Sequence, residues 1–216
     1  MKITVGKSIV AANDRQAEDI RRGLRERRFL SVNILASPGA GKTSLISRLL
    51  TGLPATLAKG VIEGDVAGRV DADKIAAMGF AVTQINTDGG CHLSAAMIER
   101  ALAALRLPIG PGVLFIENIG NLICPASFDL GEMLRVVVAS TPEGDDKPIK
   151  YPGIFGTADA VVLNKTDLAD QVEFDMKRFV DGVRAVNGAC PIFNVSCRRN
   201  EGLLPLLAFL EQRIPA

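Results

Sequence analysis

The sequence has few aromatic residues, a single histidine and almost no net charge. Its 216 residues include no Trp, one Tyr and one His, whereas 48% are hydrophobic. This composition is typical of a compact core of aliphatic side chains. The net charge is only +1. Because a chain without a strong field of one sign does not attract nucleic acid or an anionic membrane as a whole, we expect neither as a partner.

Long apolar runs, paired cysteines and flexible linkers are also missing. The longest apolar stretch, residues 203–210, is too short to span a bilayer and contains Pro205. No secretory signal pattern opens the sequence, so we expect a cytoplasmic protein. The four cysteines include no C-x-x-C pair, which favours thiols or metal ligands over disulfides. Without a Gly/Ser/Pro linker or an internal repeat, residues 1–216 are predicted to form one domain.

Short apolar runs alternate with helical patterns along the chain. The runs predicted as strands lie at 31–36, 59–63, 80–87, 113–117, 134–140, 159–164 and 191–196. Helical patterns lie at 14–28, 44–50, 71–78, 93–106, 170–186 and 203–213. This alternation predicts an α/β fold, with a mainly parallel central sheet of about seven strands flanked by helices. Ligands of such folds bind beyond the carboxyl ends of the strands, so the polar residues there are the candidate site.

The first helical pattern predicts a basic helical extension at about residues 1–29. Asn13 is in a position to cap this helix, with Gln16 at the capping-box position. Ala17, Ile20 and Leu24 would share its apolar face. Five arginines lie between residues 21 and 28. A solvated helix face accounts for this charge, and a docking surface for an acidic partner is the alternative.

A glycine-rich segment separates the first predicted strand from a helix. It reads Ala36-Ser37-Pro38-Gly39-Ala40-Gly41-Lys42-Thr43, a phosphate-binding loop in which Ala36 replaces the usual first glycine. The backbone N–H groups of such a loop bind a triphosphate at the positive end of a helix. Lys42 would reach the terminal phosphates, and the Thr43 hydroxyl would bind Mg²⁺. The predicted nucleotide contacts here are Pro38, Gly39, Ala40, Gly41, Lys42, Thr43 and Ser44.

The strand predicted at 159–164 leads into an Asn-Lys-Thr-Asp tetrapeptide at residues 164–167. The Asp167 carboxylate can accept hydrogen bonds from guanine N1–H and the 2-amino group, which adenine lacks. Asn164 would bond the base edge, and the Lys165 stem would cover the ring. Backbone N–H groups of Ser196 and Cys197, after the last strand, would meet the guanine carbonyl. A simple helix-capping turn is the alternative for the tetrapeptide.

Acidic residues follow two other predicted strands. Asp65 ends the second strand, with Asp71 and Asp73 shortly after it, and Glu117 ends the fourth. Carboxylates at such positions suit Mg²⁺, directly or through water. We predict Asp65, Asp71 and Glu117 as magnesium ligands together with Thr43, whereas Asp73 is better explained as helix N-terminal charge. The predicted catalytic residues are Lys42, Asp65 and Glu117.

Sulfur and imidazole side chains form the last candidate site. Cys91 and His92 are adjacent and follow two glycines, and Cys124 lies further along the chain. Thiolate and imidazole ligands suit Ni²⁺ or Zn²⁺. Three such ligands do not fill a four-coordinate site, so a two-fold dimer would have to pool them from both chains. Cys190 and Cys197 are predicted to be structural.

Together these segments resemble the HypB family of hydrogenase nickel-insertion GTPases, which are SIMIBI-class G proteins related to UreG. The resemblance covers residues 10–216, and the segments around Cys91 and Cys124 are its most diagnostic parts. The matching segments are residues 37–43, Glu63-Gly64-Asp65-Val66, Asn86-Thr87-Asp88-Gly89-Gly90-Cys91-His92-Leu93, residues 117–129, Glu143-Gly144-Asp145-Asp146-Lys147-Pro148 and Asn164-Lys165-Thr166-Asp167-Leu168.

The resemblance implies a homodimeric GTPase that uses GTP and Mg²⁺ and binds nickel or zinc at the dimer interface through Cys91, His92 and Cys124. It also implies slow hydrolysis of GTP to GDP and phosphate. A HypA-like nickel chaperone and the hydrogenase large-subunit precursor would be its partners. Many members carry an N-terminal cysteine motif or a histidine-rich stretch. Because the first cysteine here is Cys91, we expect neither tight nickel binding by a monomer nor nickel storage.

Other classes of protein share parts of this pattern. A GTPase chaperone for another metalloenzyme, urease-like or cobalamin-mutase-like, would have the same nucleotide motifs. A passive nickel- or zinc-binding protein would bind metal without dependence on nucleotide. An ATP-driven partition-type protein is the third alternative, and Asp167 argues against it.

Overall fold

The computed structural model describes residues 5–66, 68–107 and 110–215, apart from the side chains of residues 5–9. The helices are α1 (Val5–Glu26), α2 (Lys42–Gly52), α3 (Val70–Ala77), α4 (Ala95–Ala104), α5 (Lys147–Lys150), α6 (Pro152–Gly156), α7 (Met176–Val186) and α8 (Leu203–Glu211). The strands are β1 (Phe29–Ala36), β2 (Ala58–Asp65), β3 (Ala81–Asn86), β4 (Gly112–Glu117), β5 (Leu134–Ser140), β6 (Ala160–Asn164) and β7 (Ile192–Asn194).

The strands form one seven-stranded sheet in the order β3-β2-β4-β1-β5-β6-β7. All six strand pairs are parallel. The predicted α/β fold with a central parallel sheet is therefore confirmed, and each predicted strand is present with bounds that agree to within two residues. Since the strands all point the same way, β1, β2, β4 and β6 bring their final polar residues or loops to one edge of the sheet.

The central strands are buried on both faces. Every residue of β1, β4 and β6 is buried. In β1, Val32 and Ile34 pack in the same cluster as Leu49 of α2, whereas Leu35 packs in the cluster that contains Phe155 and Phe179. Helices thus cover both faces of the sheet, which explains why these strands read as continuous apolar runs.

The predicted cap at Asn13 is wrong because α1 begins at Val5 and continues through this residue. The buried Asn13 side chain joins two distant segments instead. Its Nδ2 donates to the Asp129 carbonyl at 2.8 Å, and its Oδ1 accepts from the Ala95 N–H at the start of α4, at 2.9 Å. Gln16 is not a capping-box residue either, since its amide donates to Glu99 across to α4.

The apolar face of α1 was predicted correctly, because its three residues are buried in one core cluster. They are Ala17, Ile20 and Leu24. They share this cluster with Ile98 of α4 and Leu130. Helix α1 is therefore packed against the sheet side that α4 also covers.

The helix predicted at 170–186 begins six residues late, at Met176. Two short 3-10 turns, Thr166–Leu168 and Asp170–Val172, occupy the preceding segment. Glu173 then adopts a left-handed φ of 51°, which interrupts any continuous helix. Asp175 caps α7, since its side chain accepts from the Arg178 N–H at 2.9 Å. Among the described residues, no helix is both long and apolar enough to cross a membrane.

Replacement of Asn13 by alanine is expected to lower the free energy of unfolding by about 1–3 kcal/mol, because it leaves the Ala95 N–H and the Asp129 carbonyl without their partner. Chemical denaturation measures this change. Asn194→Ala is the matched control: Asn194 is exposed, so its loss should stay within about 0.5 kcal/mol. Equal effects of the two substitutions would contradict the role given to Asn13.

Candidate nucleotide and metal site

The loop between β1 and α2 has the shape of a phosphate-binding loop. Gly39 and Gly41 have positive φ values of 77° and 99°. A Cβ atom on Gly41 would lie 2.5 Å from Asn164 Nδ2, so this position needs glycine for space as well as for conformation. Ala36 lies inside β1, is fully buried and has no positive φ. Alanine therefore imposes no backbone strain where the usual pattern has its first glycine.

A buried carboxylate lies against the first turn of α2. Thr43 Oγ1 donates to Glu117 Oε1 at 2.8 Å, and Lys42 Nζ lies 4.0 Å from the same oxygen. Burial raises the pKa of Glu117 to about 7, against the opposing effects of Lys42 and Thr43. Its other oxygen, Oε2, is buried and has no hydrogen-bond partner among the described residues. A buried acceptor of this kind suits a cation or its bound water.

Glu63 is a second buried carboxylate, which the sequence reasoning passed over in favour of Asp65. Glu63 pairs in register with Glu117 on the neighbouring strand and is only 3% exposed. Burial, assisted by the charges of Glu117 and Asp65, raises its pKa to about 8. Its Oε2 also lacks a partner in the described part of the chain. The available signal was an acidic residue directly after the apolar pair Val61-Ile62.

The other predicted magnesium ligands lie nearby but make local contacts. The Asp65 carboxylate accepts from the N–H groups of Val66 at 2.6 Å and Gly68 at 2.9 Å. Asp71 pairs with Lys74 at 3.0 Å. Asp65 and Asp71 are close enough that their charges contribute to the raised pKa of Glu117. Asp73 lies in the first turn of α3, as expected of helix N-terminal charge.

The residues present fit a magnesium ion that also takes ligands from a bound nucleotide. Within residues 5–66, 68–107 and 110–215, no three His, Cys, Asp or Glu side chains are grouped closely enough to hold a metal ion by themselves. Mg²⁺ usually binds through one or two protein ligands, several waters and substrate phosphates. Thr43 and Glu117 supply such a partial set beside the phosphate loop.

The predicted base-recognition loop lies against the phosphate loop. Asn164 Nδ2 donates to the Ala40 carbonyl at 2.9 Å, and Lys165 Nζ donates to the Gly39 carbonyl at 2.6 Å. Asn164 Oδ1 accepts from the Cys197 N–H at 3.2 Å. The Asn164 amide thus joins its own loop to the phosphate loop and to the loop after β7. A cavity of about 400 Å³ opens here, lined by Gly41, Ser44, Ser47, Arg48, Asn164, Lys165, Cys197 and Arg198.

Asp167 is held as an ionised acceptor beside this cavity. The Ser196 hydroxyl donates to Asp167 Oδ1 at 2.6 Å, and this bond, with the charges of Arg199 and Arg198, lowers the pKa of Asp167. The Ser196 N–H donates to the Glu201 carbonyl at 3.1 Å, and the Cys197 N–H donates to Asn164. The two N–H groups expected to meet a base carbonyl are thus bonded within the chain, and the Ser196 hydroxyl acts on Asp167 instead.

Cys91 contacts His92 and lies near Cys124, but the three side chains do not form a metal-ligand group within the described residues. Cys91 Sγ lies 3.5 Å from His92 Nδ1, and the nearby Cys124 side chain raises the pKa of the Cys91 thiol. The His92 ring stacks on Phe128, with centroids 3.9 Å apart. Cys91 is exposed and Cys124 is half-buried. Cys190 and Cys197 are buried thiols, and burial raises the pKa of both.

A buried polar chain, which the sequence did not reveal, joins these two regions. Asn118, which directly follows Glu117, donates to Asn33 Oδ1 at 3.2 Å, and Asn33 donates to Glu132 Oε1 at 3.3 Å. Arg135 Nε donates to the same oxygen of Glu132 at 2.6 Å. The Arg135 guanidinium also donates to the carbonyls of Ala126 and Phe128, at 3.3 and 3.4 Å. The end of β4 is thereby connected to the segment that carries Cys124 and stacks on His92.

A lysine lies beside the phosphate loop. Lys147 Nζ donates to Ser37 Oγ at 3.4 Å, lies 3.5 Å from Glu143 Oε1 and sits 5.1 Å from the centroid of the Tyr151 ring. Lys150 forms an ion pair with Asp146, with 2.6 Å between Nζ and Oδ2. Lys147 is therefore a positive charge next to the phosphate loop of its own chain.

Comparison with known proteins agrees with this geometry. A family model described as "CobW/HypB/UreG, nucleotide-binding domain" matches residues 30–194. The hydrogenase maturation factor HypB of Azotobacter vinelandii is 43% identical over 211 residues, which cover 98% of this chain and 69% of that protein.

Two solved structures are similar over nearly the whole chain. HypB from Helicobacter pylori, solved in complex with nickel, is 33% identical with a TM-score of 0.88, covering 95% of this chain and 98% of that one. HypB from Archaeoglobus fulgidus is 36% identical with a TM-score of 0.86, covering 94% and 99%. The fold is thus the SIMIBI-type P-loop NTPase fold predicted from the sequence. The chain belongs to the HypB family of hydrogenase maturation factors.

Proposed function

We propose that this protein is a GTP-hydrolysing metallochaperone, which binds Ni²⁺ at a dimer interface and delivers it to the hydrogenase large-subunit precursor. The observation that carries the proposal is the buried connection from Glu117 through Asn118, Asn33 and Glu132 to the Cys124 segment. It would join the proposed nucleotide site to the proposed thiol–imidazole site along one continuous structural path. The nickel complex of the H. pylori relative supports nickel as the cargo, with zinc as the competing metal.

Guanine selection rests on the ionised Asp167 carboxylate. Its lowered pKa keeps it unprotonated at neutral pH, so it can only accept hydrogen bonds. Guanine offers two donors on the matching edge, whereas adenine would leave the carboxylate without them. Lys165 covers the same cavity through its contact with Gly39.

Hydrolysis is phosphoryl transfer to water, stabilised mainly by position and charge. The bound Mg²⁺ would neutralise charge on the phosphates. Lys42 and the backbone N–H groups of the glycine-rich loop bind the phosphate oxygens, and Thr43, held by Glu117, orients the cation side of the site. Because the sequence alone identifies neither a catalytic glutamine nor an arginine finger, we expect slow turnover without a partner.

The nickel site requires two chains in this proposal. One chain supplies Cys91, His92 and Cys124, which are not grouped as three ligands within the described residues. A two-fold axis near Cys91 would bring twice as many donors together. Ile123, next to Cys124, is 67% exposed, and an apolar side chain so exposed beside a candidate ligand suits a protein contact.

Nucleotide and nickel are coupled if GTP favours the dimeric arrangement and GDP does not. GTP must then bind the dimer and the monomer with different affinities, since a ligand that binds both equally well does not shift the equilibrium between them. Loss of the γ-phosphate would relax Thr43 and Glu117, and the polar chain after Glu117 would weaken the Cys124 side of the nickel site. Nickel would pass to the hydrogenase precursor together with a HypA-like chaperone.

Asp167→Asn is expected to weaken GDP and GTP binding by roughly 10- to 100-fold, the effect of losing hydrogen bonds to a charged acceptor. Preference for guanine over adenine nucleotides should fall with it. Competition between labelled GDP and unlabelled ADP measures both effects. Asp170→Asn, an exposed acid in the next turn, is the matched control. If Asp167→Asn still strongly selects guanine, the base assignment is wrong.

Cys124→Ala is expected to weaken Ni²⁺ binding by at least about 10-fold, because it removes a thiolate ligand. Equilibrium dialysis with the GTP-bound protein measures the affinity and the number of ions per dimer. Cys190→Ala, which removes a buried thiol elsewhere, should bind nickel as the wild type does. Unchanged nickel binding by Cys124→Ala would exclude this residue as a ligand.

A further inference from the structure

Glu63 is a buried carboxylate without a structural partner. It is 3% exposed, and its Oε2 accepts no hydrogen bond from any described residue. A buried carboxyl group that lacks hydrogen bonds destabilises a fold, and an apolar residue of similar size would pack there at lower cost. Buried unsatisfied polar atoms are rare, and an ion or water is one of the usual reasons for them. A bound ligand therefore explains the buried Glu63 carboxyl group better than core packing does.

The position of Glu63 in the sheet indicates where that ligand would bind. Glu63 lies beside Glu117 in the register of β2 and β4. Alternation along the strands sends both side chains to the face of Val61 and Phe115, which pack in the cluster that includes α2. The two carboxylates thus project side by side toward the first turn of α2, where Thr43 and Lys42 contact Glu117.

The two carboxylates differ in what they already contact. Glu117 uses Oε1 for Thr43, and its Oε2 remains without a partner among the described residues, as does Oε2 of Glu63. Two such acceptors, one strand apart, match the donor pattern of a hydrated divalent cation. Mg²⁺ keeps several waters when it is bound, and each water has protons to donate. Groups that accept from these waters fix the geometry of the ion.

We propose that Glu63 accepts hydrogen bonds from the water shell of the nucleotide-bound Mg²⁺ and so positions the ion against Thr43 and Glu117. This inference rests on the proposed nucleotide function. It adds a positioning residue to the cation site, one that acts through bound water and not on the phosphates. Asp65, by contrast, is turned into its own loop by the N–H groups of Val66 and Gly68.

The test measures the affinity of the GDP complex for Mn²⁺. Free Mn²⁺ is quantified by its electron paramagnetic resonance signal. Glu63→Gln is expected to weaken Mn²⁺ binding by about 10- to 100-fold, as found for residues that hold metal-bound groups. GDP affinity in EDTA should equal that of the wild type, because the proposed role of Glu63 acts only through the bound ion. Glu99→Gln, which removes an exposed charge on α4, should leave both values unchanged.

Glu63→Leu is a second variant of similar volume, with the same expected loss of Mn²⁺ affinity. Thermal unfolding without ligand should find Glu63→Leu at least as stable as the wild type, since a buried carboxyl group without hydrogen bonds has been removed. Equal Mn²⁺ affinity in the wild type and in both variants would overturn the role of Glu63 alone. A wild type whose Mn²⁺ binding does not depend on GDP would overturn the proposed nucleotide function as well.

Discussion

The contact between the Glu117 carboxylate and the first turn of α2 is the interaction on which the rest of the site depends. Glu117 ends β4, next to the strand that leads into the phosphate loop. Its Oε1 holds Thr43 and lies near Lys42. The residue that follows, Asn118, begins the polar chain toward the cysteine-bearing segment. A single strand end therefore touches both the nucleotide side and the metal side of the molecule.

The segment that carries Cys124 is anchored firmly at one end and exposed in its middle. Arg21 of α1 donates to both carboxylate oxygens of Asp129 at 2.6 Å, and Asn13 binds the Asp129 carbonyl. Glu132 accepts from the Leu130 N–H at 2.7 Å. Ile123, by contrast, faces solvent. Helix α1 thus contributes to the metal side of the molecule by fixing the base of this segment.

The sequence was sufficient for features that depend on local chemistry. Strands buried on both faces appear as apolar runs, and a loop with left-handed backbone appears as Gly39 and Gly41, so both were predicted. Asn13 was misread because capping is a local pattern, whereas its actual partners are Ala95 and Asp129, far along the chain. The chain through Asn33 has no local signature, since it depends on which strands become neighbours. The only local sign that Glu63 is buried is the apolar pair Val61-Ile62 before it.

In the proposed mechanism, the bound nucleotide controls the affinity of the protein for nickel. The most direct measurement is the dissociation constant of Ni²⁺ for the wild-type protein, determined by competition with a chromophoric chelator in the presence of GDP and of a non-hydrolysable GTP analogue. We expect binding at least about 5-fold tighter with the GTP analogue, the lower end of typical coupling between sites. Equal dissociation constants in the two nucleotide states would contradict the account.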